Sequence, residues 1–223
     1  MSKALLNSAK TYEHALHAAD YGVSCANVTI DQKAVIARKN RVVRSLVSGV
    51  KAKMKAAGVT VVMEAAQITG REGDGFLVTA AGRTYRAKRL IIATGSSAAI
   101  VPIPGVQENL GSFVLTNREI LDLKQIPKTL TVIGGGVIGL EMAAYYAGVG
   151  AQVTVVEMLD HIAGATDREI SAMLQQELEE KGIRFLLSHK CLSMEPGTVW
   201  AEAPSGEKVA VPSEKVLLAI GRR

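Results

Sequence analysis

Apolar and polar positions along this chain recur with two periods, and the changes of period mark out its elements. Leu5, Leu6, Ala9, Tyr12 and Leu16 fall at helical steps and predict a helix from Ser2 to about Ala19. Val35, Val42, Val43, Leu46, Val50 and Met54 predict a second helix from Asp31 to Ala57. A third helix, with the apolar face Ile170, Met173, Leu174 and Leu178, is expected to start at a capping box, Thr166-x-x-Glu169. Gly58 and Gly182 are placed to end the second and third helices. Shorter apolar runs, Leu130–Ile133, Gln152–Val156 and Lys215–Leu218, read as buried strands, and Leu115 to Leu123 as a short helix.

Two segments share one pattern of strand, short meander, strand and glycine turn. One runs from Gly58 through Val59–Val62, Gly75–Val78 and Arg83–Tyr85 to Leu90-Ile91-Ile92-Ala93-Thr94-Gly95. The other runs from Gly182 through Arg184–Leu186, Thr198–Ala201 and Lys208–Val211 to Val216-Leu217-Leu218-Ala219-Ile220-Gly221. Each follows an amphipathic helix. Only the second is preceded by a full strand–helix–strand unit, so the first half is expected to be incomplete and the chain a fragment. The expected organisation is an incomplete dinucleotide-binding domain over residues 1–112 and a nearly complete one over residues 113–223. The meander, roughly Cys191 to Val211, replaces a helical crossover. Pro102-Ile103-Pro104-Gly105 reads as a linker.

That strand–helix–strand unit carries the most specific chemistry in the chain. Gly134-Gly135-Gly136-Val137-Ile138-Gly139 follows Leu130–Ile133 and opens a helical pattern from Leu140 to Tyr146, and Glu157 ends the next strand 23 positions beyond Gly134. Gly134 suits a tight turn, Gly136 lets backbone approach a pyrophosphate, and Gly139 lets helix and strand pack closely. The unpaired amides and positive dipole end of the helix attract phosphate. Glu157 can accept hydrogen bonds from an adenosine ribose, and its charge should favour NAD over NADP.

Composition narrows the remaining choices. An apolar fraction of 48% in 223 residues supports a sizeable core. The longest uncharged stretch, between Arg89 and Glu108, is broken by Pro102 and Pro104 and is a poor membrane span; with no signal peptide visible, a cytoplasmic protein is expected. Much of the basic charge behind the net +5 lies on the second helix, at Lys33, Arg38, Lys39, Arg41, Arg44, Lys51, Lys53 and Lys55. No aromatic residue interleaves these charges, so a solvated helix face is preferred to a nucleic-acid surface. Cys25 and Cys191 form neither a CxxC pair nor a zinc spacing and read as free thiols. His14 and His17 lack a third metal ligand.

Several motifs, in one register over essentially the whole chain, resemble the pyridine-nucleotide–disulfide oxidoreductases, and most closely their dihydrolipoamide dehydrogenase branch. Ser2-Lys3-Ala4-Leu5-Leu6 is similar to the tail of that family's paired-cysteine motif, with Met1 at the place of a proline. Ala93-Thr94-Gly95-Ser96 resembles the segment that touches the flavin nucleotide, Val132 to Glu141 the NAD loop, and Ala219 to Arg223 the closing turn of the second domain. The resemblance implies an α/β fold of Rossmann-like FAD- and NAD-binding domains with parallel sheets and β-meander crossovers, the first domain incomplete. It implies FAD contacts at Lys3, Ala66, Thr94, Gly95 and Ser96. It implies NAD contacts at Gly134, Gly135, Gly136, Val137, Ile138, Gly139, Leu140, Glu141, Glu157, Gly221 and the backbone of Cys191. A Lys3–Glu141 ion pair beside the flavin is expected too. Implied partners are lipoyl-bearing proteins of 2-oxo acid dehydrogenase or glycine cleavage complexes and a second copy in a homodimer, with no nucleic acid and no membrane. The family's redox cysteines would lie before Met1 and its catalytic His beyond Arg223, so no catalytic residue is expected here and the chain alone should be inactive. Another two-dinucleotide flavoprotein, of NADH oxidase or ferredoxin reductase type, and a non-catalytic NAD-binding module remain open.

Overall fold

The computed structural model describes residues 1–223. Helix α1 (Ser2–Leu16) is followed by a short 3-10 turn, Ala18–Tyr21, and by α2 (Gln32–Ala56). Strands β1 (Ala66–Glu72), β2 (Gly75–Ala80) and β3 (Arg83–Ala87) come next, then α3 (Val106–Asn109), β4 (Val114–Leu115) and α4 (Asn117–Ile120). The strand–helix–strand unit is β5 (Thr129–Ile133), α5 (Val137–Gly148) and β6 (Gln152–Val156). The chain finishes with α6 (Arg168–Glu180), β7 (Arg184–Leu186), β8 (Lys190–Glu195), β9 (Gly197–Glu202), β10 (Lys208–Ser213) and β11 (Lys215–Leu218). Two compact units result, Met1–Val43 with Ser97–Arg223, and Arg44–Ser96; α2 contributes to both.

The larger unit is α/β and Rossmann-like. Its sheet has the order β4-β11-β5-β6-β7, and every neighbouring pair is parallel. Such a sheet needs cover on both faces. Alternation supplies it: Leu217 joins the core beneath α1, α5 and α6, while Val216 and Leu218 join the core beneath the meander β8-β9-β10. Helix α5 is apolar on nearly all sides because it is covered twice. Leu140 and Ala143 are buried with the sheet residues Val132 and Val155, and Leu5 and Ala9 of α1 belong to the same cluster. Helix α1 packs on α5, with Leu5 fully buried.

Helix α2 turns Gln32, Ile36 and Lys39 inward, an i, i+4, i+7 stripe. Lys39, expected on the solvated basic face, is 1% exposed; its ammonium donates to Asp122 Oδ1 at 2.6 Å and Leu121 O at 2.8 Å. A buried ammonium is tolerated only when paired in this way. Tyr145 donates to Gln32 Oε1 at 2.6 Å and Tyr146 to Ile120 O at 2.8 Å, so α2, α5 and the turn after α4 share one satisfied polar network. Burial pushes the Tyr145 hydroxyl up to about 12.

Three further expectations change. The cap of α6 is Asp167, whose Oδ1 accepts from the amides of Glu169 and Ile170; Thr166 Oγ1 donates to Ala163 O and leaves no capping box there. A capping box forms at Thr116–Glu119, ahead of α4. The inward stripe of α6 is Ser171 and Leu178, with Ile170 56% and Met173 60% exposed. Ser171 lets the helix approach closely enough for its hydroxyl to donate to Ile162 O. The segment at Pro102–Gly105 is no free linker: Pro104 O accepts from Met194 N at 2.9 Å, and Ile103 packs on the meander core.

The smaller unit holds the antiparallel sheet β1-β2-β3, joined by hydroxyl contacts Thr69–Thr79 and Thr79–Thr84 and by Arg71 stacked 4.6 Å above Phe76. The expected strands at Val59–Val62 and Leu90–Ile92 are absent, and Ile91 is 88% exposed. An extended segment becomes a strand only when a neighbour takes its backbone hydrogen bonds, and no strand of this unit is placed to do so.

Candidate functional site

Strand β5 runs straight into the glycine turn. Gly134 N donates to Val156 O at 2.9 Å and Ala219 N to Ile133 O at 2.8 Å, so β6 and β11 hold both flanks of the turn. Gly134 has φ +102°, and a Cβ there would lie 2.5 Å from Ala219 O. A Cβ on Gly139 would lie 2.1 Å from Gly134 O and 3.1 Å from Val132 Cγ1, the close helix–strand contact expected of that position. Gly136 caps α5 in extended backbone, and a Cβ there would meet only open space. Helix geometry leaves the amides of Gly136 through Gly139 without intrahelical carbonyls.

Glu157 closes the other side. Its Oε2 accepts from Gly135 N at 2.6 Å and its Oε1 from Leu159 N at 2.8 Å. Both oxygens are thus held at the mouth of the turn with lone pairs to spare. The following loop folds back over the glycines, with Ala163 N donating to Gly135 O at 2.8 Å.

A cavity of about 800 Å³ opens at the carboxyl ends of β5, β6 and β11. It is lined by Gly134, Gly136, Val137, Ile138, Glu157, Cys191 and Gly221 among the expected NAD-side residues. Gly135 is tied to Glu157, while Gly139 and Leu140 are buried. Burial pushes the Cys191 thiol up to about 11, which leaves it neutral and unreactive. Sequence reasoning missed Val101, Ile103, Met158, Leu159, His189 and Lys190, which also line the cavity. Ile103 belongs to the supposed linker and Val101 directly precedes it, and no local pattern ties either to the glycine turn. A larger hollow of about 930 Å³ beside α1 and α5 contains none of the expected site residues, and its Lys181 and Glu13 pair with each other at 3.0 Å.

Glu141, on the first turns of α5, pairs with Lys3 at the head of α1. Burial alone would raise its carboxyl, but hydrogen bonds from Lys3 and Ser2 and the Lys3 charge hold it below the ordinary value. In the smaller unit, Ala66 lines a hollow of about 330 Å³ with Thr60, Val62 and Tyr85. Thr94, Gly95 and Ser96 are exposed in irregular backbone and line no part of that hollow. No group of three or more His, Cys, Asp or Glu side chains is placed to hold a metal ion. No helix is long and apolar enough to cross a membrane.

A family profile described as pyridine nucleotide-disulphide oxidoreductase matches residues 1–223. The chain belongs to that family. Relatives within it include the dihydrolipoyl dehydrogenase of Mycoplasma pneumoniae, 33% identical over 99% of this chain and 48% of that protein. The dihydrolipoyl dehydrogenase of Acholeplasma laidlawii is 33% identical over 100% of this chain and 65% of that protein. Among solved structures, LpdA of Mycobacterium tuberculosis superposes with a TM-score of 0.82 at 25% identity, over 99% of this chain and 48% of that one. The flavoprotein disulfide reductase RclA of Escherichia coli shares the fold, with a TM-score of 0.74 at 24% identity over 100% of this chain and 46% of that one. The chain of this oxidoreductase family thus spans about half the length of most of these relatives.

Proposed function

We propose that this chain is the NAD(H)-binding portion of a flavin-dependent dihydrolipoyl dehydrogenase, with residues 1–112 a partial FAD-binding domain and residues 113–223 the NAD-binding domain. The observation that carries the reading is the pairing of the Gly134–Gly139 turn with Glu157 across one cavity. The residues fit NAD. The amides at the head of α5 would bind the pyrophosphate, the open space at Gly136 would admit it, and Glu157 would accept from the adenosine ribose hydroxyls. When bound, NAD supplies the hydride acceptor. This chain's part is to orient the nucleotide and to refuse a 2′-phosphate by charge.

Flavin fits less well. Thr94, Gly95 and Ser96 are exposed in irregular backbone, so no step through FAD is derived from this chain, and lipoamide-dependent turnover by the chain alone is expected to be absent. In the whole enzyme the partners would be lipoyl-bearing proteins of 2-oxo acid dehydrogenase or glycine cleavage complexes, and a second copy in a homodimer. The free cysteines suit a reducing cytoplasm.

Fluorescence titration of the purified chain tests the reading. NADH should bind at least about tenfold more tightly than NADPH, a difference of ~1.4 kcal/mol. Glu157→Gln should narrow that ratio. Equal affinities for the two nucleotides would overturn it.

A further inference from the structure

Helices α2 and α6 end in the same turn. Gly58 N donates to Lys55 O at 3.1 Å and Val59 N to Met54 O at 3.0 Å; Gly182 N donates to Glu179 O at 2.8 Å and Ile183 N to Leu178 O at 3.1 Å. Both glycines are left-handed, with φ +68° and +82°. After α6 the chain becomes β7. Phe185 packs with the helical cluster, Leu186 belongs to the meander cluster, and β6 pairs alongside in parallel. After α2 the side chains alternate in the same way. Val59, Val61 and Met63 share a hollow of about 850 Å³ with Leu46, Val50 and Met54 of α2. Thr60 and Val62 share the hollow of about 330 Å³ with Val78 and Tyr85 of the meander. The two faces of a strand are thus already sorted between helix and meander, yet no strand pairs with residues 59–63.

The second half of the chain shows what belongs beside such a segment. There β11 and β7 are separated by β5 and β6, all parallel, and α5 and α6 share one cluster. In the first half the counterpart of β11 is residues 90–94, where Ile91 is 88% and Ile92 68% exposed and no strand pairs either. We propose that residues 59–63 and 90–94 form a docking seat for a partner polypeptide of strand–glycine turn–helix–strand form. Its two strands insert in parallel between these segments, and its helix lies in the hollow along α2. Such an occupant takes the backbone hydrogen bonds that both segments lack and covers apolar side chains that now meet water. A lone helix or a lipid surface would cover the side chains and leave the backbone unpaired. The seat also carries charge. Lys51 and Lys55 line the larger hollow, and no Asp or Glu occurs between Gln32 and Met63, so an acidic flank on the partner's helix adds to the fit. The inference rests on the reading of residues 1–112 as a partial dinucleotide-binding domain.

The test is hydrogen–deuterium exchange of the full chain, with a synthetic peptide of residues 128–158 as probe, the chain's own strand–glycine turn–helix–strand. Excess peptide should slow exchange in residues 59–63 and 90–94 at least about tenfold and leave residues 113–223 unchanged. Val61→Lys and Ile91→Lys, at positions exposed in the chain alone, should leave its circular dichroism unchanged. Each should weaken peptide binding at least about tenfold, because an ammonium would have to be buried unpaired. A peptide of residues 137–148, the helix without its strands, and vesicles of phosphatidylglycerol should give no protection. Equal protection by either, protection that survives both substitutions, or none from the 128–158 peptide would overturn the inference. NADH titration of the same samples separates the two readings. NADH binding without protection sinks the docking seat alone, while protection in a chain that binds no NADH supports the seat and overturns the nucleotide site.

Discussion

Gly134 and Gly139 are needed for different reasons, and the difference was visible before any coordinates. Gly134 takes a backbone conformation with φ +102° under the Ala219 carbonyl, whereas Gly139 removes a side chain from a helix–strand contact. Both roles follow from the spacing of the motif. Glu157 was legible as an acid at the end of the second strand, but its bond to Gly135 N was not, because that contact joins residues 22 apart through the sheet register. Glu141 offers a test at this scale. Its carboxyl lies below the ordinary 4.5 in the folded chain. A carboxyl depressed by folding stabilises the fold above its unfolded pKa, and that contribution is lost as pH falls through the folded value. The stability difference between the parent and Glu141→Gln, read from urea midpoints, should be steady above about pH 5 and close at lower pH. The exposed Lys3 ammonium keeps the difference within ~1 kcal/mol. A difference that persists unchanged to about pH 3 would show that the ion pair is not its source.

Among the elements, α6 shows where periodicity misleads. Its apolar residues point to a face of Ile170, Met173, Leu174 and Leu178, yet of these only Leu178 is buried, on a stripe it shares with Ser171. A hydrophobic pattern identifies a helix but does not choose between adjacent stripes when a small residue permits closer approach. Truncation should separate the two. Leu178→Ala is expected to cost about 2–5 kcal/mol by leaving a cavity, whereas Met173→Ser should fall within about 0.5 kcal/mol of the parent. Equal costs by chemical denaturation would mean that the stripe through Met173 is covered in solution. The meander β8-β9-β10 was expected from its turns, and the parallel strands from their β-branched runs. Strands at Val59–Val62 and Leu90–Ile92 were expected on the same grounds and did not form, since propensity cannot supply a hydrogen-bonding neighbour.

Across the whole molecule, the two units differ in how much apolar surface each buries. The larger unit holds both hydrophobic clusters. In Arg44–Ser96 the exposed apolar residues include Leu46, Val50, Val59, Val61, Met63, Ile91 and Ile92. Few buried apolar contacts mean a low free energy of local opening. Limited proteolysis should therefore cut within residues 44–96 well before it cuts within residues 113–223, read by mass spectrometry of the first fragments. Equal resistance would overturn this. By itself the sequence determined the strand–glycine turn–helix–strand unit, the parallel sheet, the meander and the placing of Glu157, because each follows from local periodicity or from a motif whose spacing is geometric. Only the tertiary structure decided that α1 packs on α5, that Lys39 is buried against Asp122, that Ile103 lines the cavity and that Asp160 holds Arg168. Those outcomes depend on which distant surfaces meet, and neither residue spacing nor propensity carries that information.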